Sequence, residues 1–181
     1  AVIVDGVTKI GDIKLRGRAE EAFVENLRKM ILVMAKDLRV VLVKLADRYH
    51  NMKTLSYLTA DQQKQIAKET LEVYAPLAER LGIGEMKGRL EDMSFFYCYP
   101  QEYKKIKEFS APYYHLAQEY IDMTSDIIQK DISRERLKVQ INGRAKHLYS
   151  LWKKLQRPEI DEDIHKVYDL VALRILVNSI R

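Results

Sequence analysis

VLVKLADRYHNMKTL, residues 41–55, is the stretch whose spacing decides how the first part of this 181-residue chain folds. Its apolar side chains recur at steps of three and four, the pattern of a helix that buries one face. On a helical wheel the apolar arc comprises Leu38, Val41, Leu42, Leu45, Tyr49 and Met52. The neighbouring polar arc comprises Lys44, Asp47, Arg48, Asn51 and Thr54. Because residues 40–43 are apolar on every side of the helix, we expect the polar arc to line a cleft.

Asp47 is the residue of the polar arc whose chemistry depends most on its neighbours. A carboxylate in a cleft loses hydration, and a cation must offset that loss. One interpretation pairs Asp47 with Lys44 or Arg48 on the same helix, and helical spacing alone favours it. The other interpretation makes Asp47 a metal ligand. Asn51 and Thr54 would then bind a ligand one and two turns further along the helix.

The composition is that of a globular protein and excludes several other classes. Hydrophobic residues make up 47% of the chain and charged residues 31%, enough for one large or two small cores. The 31 Lys and Arg exceed the 26 Asp and Glu by a net charge of +5, which suits phosphorylated ligands but is modest for a dedicated nucleic-acid-binding protein. Cys98 is the only cysteine, so we expect no internal disulfide and a reducing, cytosolic setting. No apolar run approaches the ~20 residues that cross a bilayer, and the opening AVIVDG lacks the features of a signal peptide.

The first half of the chain is predicted to be helical. After an opening loop, DGVTKIGDIK, a first helix is marked by Phe23, Leu27, Met30, Ile31, Met34 and Leu38. Asp37 is positioned to cap a second helix through 41–57. Thr59 and Gln62 have the spacing of a capping box for a third helix. The apolar stripe of that third helix comprises Ile66, Leu71, Tyr74, Leu77, Ala78 and Leu81.

Pro76 lies inside the third stripe and should kink that helix, because proline removes a backbone donor and crowds the preceding turn. Gly82 and Gly84 are expected to end it. A further helix, closed by the CYP turn at 98–100, is marked by Met86, Leu90, Met93 and Tyr97. A long helix that ends near Ser133 is marked by Tyr113, Leu116, Tyr120, Met123 and Ile127.

The hydrophobic period changes to two at residues 137–141, and this change predicts a strand that stops at Asn142-Gly143. A helix at about 145–156 follows, and VALRILV at 171–177 has the composition of a buried strand. The expected fold class is therefore mainly α, with an all-helical part followed by the start of an α+β part. Two strands rarely form a stable sheet alone, so the sequence resembles a piece of a longer protein.

The helix at about 145–156 carries a basic face that is a candidate polyphosphate site. Its buried stripe comprises Leu148, Leu151, Trp152 and Leu155, and the opposite face comprises Lys146, Ser150, Lys153, Lys154 and Arg157, with His147 at its edge. Gly143, beside Arg144, would let the backbone approach a ligand closely, and the helix start offers N–H groups and a positive dipole end. An ordinary solvated basic face explains the pattern equally well. Asp169, just before the last strand, either holds a Mg²⁺ ion that bridges phosphates or only turns the chain.

Five segments, in order, resemble the bifunctional Rel/Spo proteins, which make and destroy the alarmone (p)ppGpp. These segments are VDGVTKIG, KLADRYHNMKTL, ETLEVYAPLAERLGI, GRAKHLYSLWKKL and YDLVALRILV, and together they span essentially the whole chain. The resemblance implies that residues 1–62 form the later part of a helical HD-type hydrolase domain. It also implies that residues 63–98 form a linking helical bundle and that residues 99–181 begin a nucleotidyltransferase-like α+β synthetase domain.

The resemblance further implies roles for the candidate residues. Asp47 corresponds to a ligand of the hydrolase Mn²⁺, and Asp169 to a ligand of the synthetase Mg²⁺. The residues implied to bind the hydrolase nucleotide are Lys44, Asn51 and Thr54. The residues implied to bind the ATP phosphates of the synthetase are Arg144, Lys146, His147, Ser150 and Lys154. The implied reactions are hydrolysis of (p)ppGpp to GDP or GTP plus pyrophosphate, and transfer of pyrophosphate from ATP to the 3′-hydroxyl of GDP or GTP.

Neither implied site is complete within these residues. The family's His and His-Asp metal ligands precede its VDGVTK segment, a second synthetase carboxylate follows the last strand, and His50 and His115 match neither motif. The chain by itself is therefore expected to lack both activities. The resemblance implies guanosine and adenosine polyphosphates as ligands, ribosome and tRNA as partners of regions outside this chain, and a cytoplasmic protein without membrane attachment. It leaves the oligomeric state open.

A different class of function is a helical regulatory or interaction module that binds a protein or RNA partner. Nucleotide binding separates the two hypotheses, because a bound nucleotide would stabilise the chain against heat and proteolysis. General RNA binding through the face that runs from Arg144 to Arg157 would show a steep salt dependence. The sequence disfavours RNA, because it places no aromatic platform beside those cations.

Overall fold

The computed structural model describes residues 37–134 and 139–177. The chain divides into two compact units between Cys98 and Tyr99. The predicted opening loop and first helix lie outside the described residues, as do the first two positions of the predicted strand, Leu137 and Lys138. None of the helices in the described part combines the length and the apolar character needed to cross a membrane.

The first unit begins with helix α1, Leu38–Lys53. Asp37 caps it as predicted, since its carboxylate accepts a hydrogen bond of 3.0 Å from the backbone N–H of Arg39. The predicted end at residue 57 is wrong. Thr54 leaves the α-helical conformation, and its hydroxyl donates to the carbonyl of Asn51 at 3.2 Å. A short 3₁₀ turn, Leu55–Tyr57, follows.

The predicted capping box is confirmed at the start of helix α2, Ala60–Glu69, where Thr59 and Gln62 bond reciprocally. A π-helical turn, Thr70–Tyr74, then leads into helix α3, Ala75–Arg80. The kink expected at Pro76 therefore takes the form of a widened turn just before it. The widening accommodates the proline ring, whose missing donor prevents regular hydrogen bonding at that point.

Gly82 ends helix α3 as predicted, with φ of 73°, a left-handed conformation that favours glycine. The amides of Gly82 and Ile83 donate to the carbonyls of Glu79 and Ala78, each at 2.9 Å, which closes the helix in a Schellman motif. Gly84 does not end this helix, contrary to expectation. It is the first residue of helix α4, Gly84–Cys98.

The core of the first unit lies among α1, the π-helical turn, α3 and α4. Its fully buried members include residues of the apolar arc of α1 and of the later stripe. They comprise Val40, Val41, Leu45, Met52, Leu55, Ala67, Val73, Tyr74, Ala75, Leu77, Ala78 and Leu90. At ~25 cal/mol per Å² of apolar area removed from water, this burial is the main force that fixes α1 in place.

The second unit is built on the long helix α5, Pro100–Arg134. Its other elements are strand β1 (Val139–Ala145), helix α6 (Leu148–Leu155), a 3₁₀ turn (Ile164–Lys166) and strand β2 (Val171–Val177). The strands pair antiparallel, with Val139 opposite Val177 and Ala145 opposite Val171. The predicted stop at Asn142-Gly143 is wrong, because the ladder continues through both residues and pairs them with Arg174 and Leu173. The following helix begins at Leu148, three residues later than expected.

The apolar stripe that predicted α5 is not its buried face. Leu116, Tyr120, Met123 and Ile127 are all more than half exposed in the described part of the chain. The buried side chains of α5 are instead Ile106, Ser110, Ala117 and Ile121. This face is rich in small residues, so a neighbouring backbone can approach it closely. Strand β2, predicted to be buried, is mostly exposed, because the described residues place no second layer over Ile175, Leu176 and Val177.

Gly143 marks the point of closest approach between β1 and α5. A Cβ atom placed on Gly143 would overlap the Cγ2 methyl of Ile121 and lie 3.2 Å from its Cβ. Ile121 is buried and branched at Cβ, so it cannot turn its methyl away at low cost. Glycine is therefore required here for strand packing. The expectation that Gly143 serves ligand approach finds no support in this geometry.

We predict that Gly143→Ala destabilises the second unit by ~1–3 kcal/mol, the usual cost of overpacking. Trp152, the single tryptophan, lies in this unit, so its fluorescence in a urea titration reports the effect. Adding Ile121→Ala should restore part of the loss, since it removes the overlapping methyl. Gly84→Ala, followed by far-UV circular dichroism because Gly84 lies in the first unit, is the control, since a Cβ there meets nothing within 4 Å. An unchanged unfolding midpoint for Gly143→Ala would contradict the packing role.

Candidate functional site

The polar arc of α1 contains an ion pair between Lys44 and Asp47. Lys44 Nζ lies 3.0 Å from Asp47 Oδ2, so the first of the two interpretations of Asp47 describes the structure. Asp47 is 44% exposed, and Asn51 is exposed one turn further on. The described residues thus do not enclose Asp47 in the cleft that we expected. They also bring no group of three His, Cys, Asp or Glu side chains together that could hold a metal ion.

Arg48 does not belong to the open polar arc, contrary to the helical wheel. It is buried, its Nη2 lies 3.1 Å from Glu69 Oε1, and its guanidinium stacks 4.0 Å from the ring centroid of Tyr74. These contacts fix α1 against α2 and the π-helical turn. Arg48 is therefore a structural cation. Of the remaining polar-arc residues, Asp47, Asn51 and Thr54 are exposed, whereas the Lys44 side chain is 15% exposed and is paired with Asp47.

Tyr49 connects the same helix to α4. Lys53 Nζ lies 4.7 Å from the centroid of the Tyr49 ring, and a hydrogen bond from Arg89 lowers the pKa of the Tyr49 phenol, outweighing the effect of burial. Arg89 is held in turn by Glu85 at 2.8 Å. The connection holds α1 beside α4.

The basic residues of the second unit converge on one carboxylate. Lys146 Nζ lies 2.8 Å from Asp169 Oδ2, and Lys154 Nζ lies 2.6 Å from Asp169 Oδ1. Both lysine side chains are about three-quarters buried or more, whereas Asp169 is 53% exposed. Partial burial alone would raise the pKa of Asp169, but the hydrogen bonds from Lys146 and Lys154 and their positive charge outweigh it and lower the pKa to about 2.

The other predicted phosphate-binding residues belong to two elements, β1 and α6, or to the connection between them. His147 is the N-cap residue of α6, with extended backbone angles, and Ser150 is half-buried in the first turn of that helix. Arg144 is exposed in β1, opposite Ala172 of β2. The prediction that Arg144 sits immediately before the helix is therefore wrong, since the strand continues through it.

Sequence reasoning missed Tyr114, a residue of α5 that contacts this cluster. Its phenol donates a hydrogen bond to the backbone carbonyl of Lys146, 32 residues away. The amide of Lys146 donates to the carbonyl of Leu170 at 2.8 Å. No local pattern predicts a contact between residues so far apart in the chain.

The statement that no aromatic platform accompanies the cations of α6 is also wrong. The ring centroids of Trp152 and Tyr99 are 5.1 Å apart, and those of Trp152 and Tyr149 are 5.6 Å apart. Trp152 also borders a cavity of about 240 Å³ between α5 and α6. The lining residues are Glu102, Lys105, Ile106, Phe109, Trp152, Leu155, Gln156 and Glu162. None of the predicted phosphate-binding residues lines this cavity.

Two family matches cover opposite ends of the chain. Residues 1–84 match the HD domain, which implies dependence on a divalent metal, and residues 143–181 match the region found in RelA and SpoT proteins. The second match begins at the glycine of β1 that packs on α5 and contains Lys146, Lys154 and Asp169.

Curated relatives match the chain along nearly its whole length. A GTP pyrophosphokinase of Streptomyces antibioticus is 43% identical over 99% of the chain. A guanosine-3′,5′-bis(diphosphate) 3′-pyrophosphohydrolase of Haemophilus influenzae is 44% identical, and the bifunctional (p)ppGpp synthase/hydrolase SpoT of Escherichia coli is 42% identical, each over 99% of the chain. The chain spans 21%, 26% and 25% of the length of these three relatives, respectively.

We predict that Arg48→Ala destabilises the first unit by about 2 kcal/mol or more, because it leaves the half-buried Glu69 unpaired and removes the stacking on Tyr74. Lys44→Ala is the matched control on the same helix. It breaks a half-exposed ion pair and should cost ~0.5 kcal/mol or less. Far-UV circular dichroism in urea measures both. Equal losses for the two variants would contradict the distinction between a pair with a mostly buried carboxylate and a pair with an exposed one.

We predict a pH-dependent contribution of Asp169 to stability, measured against Asp169→Asn in metal-free buffer. The folded pKa of about 2 lies below the usual 3.8, so the ionised carboxylate stabilises the fold above about pH 4 and this stabilisation is lost as the pH falls toward 2. Because Asp169 is half exposed, the free energy of unfolding at neutral pH should exceed that of Asp169→Asn by ~1 kcal/mol or less. Urea titrations followed by Trp152 fluorescence measure it, with Asp126→Asn on α5 as baseline. A difference that stays constant from pH 7 to pH 2 would contradict the ion cluster.

Proposed function

Because the chain belongs to the Rel/Spo family, we propose that it is part of a bifunctional enzyme that hydrolyses (p)ppGpp and also synthesises it. The hydrolase would release pyrophosphate and return GDP or GTP. The synthetase would transfer pyrophosphate from ATP to the 3′-hydroxyl of GDP or GTP. The observation that carries the proposal is the convergence of Lys146 and Lys154 on Asp169, within the segment that matches RelA and SpoT proteins.

We assign residues 1–62 to the HD-type hydrolase domain, 63–98 to a linking helical bundle and 99–181 to the start of the synthetase domain. The division of the structure between Cys98 and Tyr99 supports the second boundary. The HD match extends to residue 84, so part of the proposed linking bundle shares sequence features with the hydrolase domain. The change from all-helical structure to a strand pair after α5 also supports a separate second domain.

In the synthetase half, the proposed task of the basic residues is to hold and neutralise the ATP phosphates. Phosphoryl-group transfer depends on positioning and on stabilising negative charge, and fixed ammonium groups supply both. Lys146 is fixed by backbone hydrogen bonds to Leu170 and Tyr114, Lys154 belongs to α6, and the two ammonium groups share one acceptor. Arg144 and His147 are close to Lys146 in sequence, Ser150 lies one turn before Lys154, and the first turn of α6 adds backbone N–H groups and the positive end of its dipole.

Asp169 fits the proposed role of a Mg²⁺ ligand. Its carboxylate is ionised at neutral pH and half exposed, and Mg²⁺ is commonly held by one or two carboxylates together with substrate phosphates. When bound, the metal would neutralise charge on the phosphates as pyrophosphate is transferred. Lys146 and Lys154 would then donate to phosphate oxygens instead of to Asp169, since carboxylate and phosphate oxygens are both anionic acceptors.

In the hydrolase half, the proposed contribution of this chain is one metal ligand and part of a nucleotide-binding wall. Asp47 would supply a carboxylate to Mn²⁺, and Lys44, Asn51 and Thr54 would contact the guanosine nucleotide. The described residues bring no further ligand to Asp47, so they do not by themselves form a metal site, and we assign no step of hydrolysis to them.

The proposed setting is the cytoplasm, since a lone cysteine suits a reducing compartment. Guanosine and adenosine polyphosphates are the proposed ligands. Ribosome and tRNA binding is proposed only for regions of the family outside this chain.

A second candidate function is a helical module that binds RNA or a protein. The aromatic group of Tyr99, Tyr149 and Trp152 beside the basic helix α6 favours it, because bases stack on aromatic side chains next to cations. Single-stranded RNA would then bind with an affinity that falls steeply with salt and that Trp152→Ala weakens. Affinity for Mg²⁺ and ATP that exceeds affinity for RNA at physiological salt favours the first proposal.

We predict that ATP with Mg²⁺ raises the thermal unfolding temperature of the chain, because a ligand that binds only the folded state stabilises it. At a ligand concentration ten times the dissociation constant, the free energy of unfolding rises by ~1.4 kcal/mol. Lys146→Met and Lys154→Met should each remove most of this shift, because each deletes a phosphate-binding cation. Lys130→Met is the control, since Lys130 is exposed on α5 away from α6 and the strands in sequence. We expect no turnover of ppGpp with Mn²⁺, or of ATP and GDP with Mg²⁺. A shift that survives both lysine substitutions would contradict the proposed phosphate site.

A further inference from the structure

Helix α5 makes two matched contacts, one with strand β1 and one with the residue that follows it. Ile121 packs under Gly143, and the phenol of Tyr114 bonds to the carbonyl of Lys146. Tyr114 and Ile121 are about two helical turns apart on α5, a separation of ~10.5 Å on one face. Gly143 and Lys146 are three positions apart on an extended segment, a separation of ~10 Å. The two spacings agree, so β1 lies along α5 in register and in the opposite direction.

Lys146 lies where this register ends. It is the first residue after β1 and precedes His147, the N-cap residue of α6. Its backbone is held on both sides, because its carbonyl accepts from Tyr114 and its amide donates to Leu170. The orientation of the peptide unit between Lys146 and His147 therefore depends on the Tyr114 phenol. That peptide unit sets both the direction of the Lys146 side chain and the start of α6.

We infer that Tyr114 is a positioning residue for the phosphate-binding lysine Lys146, and that it couples the placement of helix α5 to nucleotide affinity. This inference rests on the proposed function, since it concerns the same phosphate site. Tyr114 acts through the backbone of Lys146, and its own side chain need not touch the nucleotide. Without the phenol hydroxyl, the carbonyl of Lys146 loses this partner and the chain between β1 and α6 gains freedom. The ammonium group of Lys146 is then less often in place for a phosphate.

The test is the affinity of the 181-residue chain for ATP with Mg²⁺, measured by isothermal titration calorimetry in four variants. These are the unsubstituted chain, Tyr114→Phe, Lys146→Met and the double variant. Tyr114→Phe should weaken binding about threefold to tenfold, the effect of one neutral hydrogen bond. In the Lys146→Met background the same substitution should change affinity less than twofold, because the group that Tyr114 positions is gone. Tyr120→Phe, at an exposed tyrosine of the same helix, should leave affinity unchanged.

A purely structural role of Tyr114 predicts a different pattern. Tyr114→Phe would then lower the urea midpoint reported by Trp152 but leave affinity unchanged at temperatures where the chain is folded. Alternatively, it would weaken binding equally with and without Lys146. Either result overturns the inference and leaves the proposed function intact. Absence of ATP binding by the unsubstituted chain contradicts the proposed function and overturns the inference with it.

Discussion

Lys146 and Lys154 share a single carboxylate, and the arrangement of the candidate phosphate site depends on that shared ion pair. Three segments meet there, because Lys146 follows β1, Lys154 lies in the last turn of α6 and Asp169 precedes β2. Two ammonium groups held this close would repel each other without an anion between them. The same two ammonium groups lower the pKa of Asp169, because they favour its ionised form. A polyphosphate would satisfy this constraint with its own oxygens, so the geometry that stabilises the fold also suits the proposed ligand.

Two cations of helix α1 are paired differently, and the difference separates structure from candidate function. Arg48 is buried against Glu69 and stacked on Tyr74, so its charge is used entirely within the first unit. Lys44 is paired with a half-exposed carboxylate, where solvent screens the attraction and exchange for a ligand costs little. Burial of the partner, rather than the presence of a pair, therefore distinguishes a structural ion pair from one that a ligand can replace.

Much of the fold follows from local sequence rules. The cap at Asp37, the capping box at Thr59 and the helix end at Gly82 are interactions between residues close in sequence, so their spacing predicts them. The family resemblance likewise required only ordered motifs, and it predicted the basic cluster around Lys146. The sequence could not predict which face of a helix is buried against its neighbours. On α5 the predicted stripe of Leu116, Tyr120, Met123 and Ile127 is exposed, and the face that carries Ile121 is buried instead, because β1 packs on it at Gly143. The contact of Tyr114 with Lys146 was missed for a related reason, since it depends on that register and not on any local pattern.

The central claim is that Lys146 and Lys154 form one preorganised phosphate site, and chemical protection of these lysines tests it most directly. The chain would be treated with an amine-acetylating reagent in the presence of Mg²⁺, with and without ATP, and modification at each lysine would be read by mass spectrometry. We expect ATP to reduce modification of Lys146 and Lys154 together, at the same nucleotide concentration, while Lys130 stays equally reactive. Unchanged modification of both lysines at saturating ATP, or protection spread evenly over all exposed lysines, would contradict the claim.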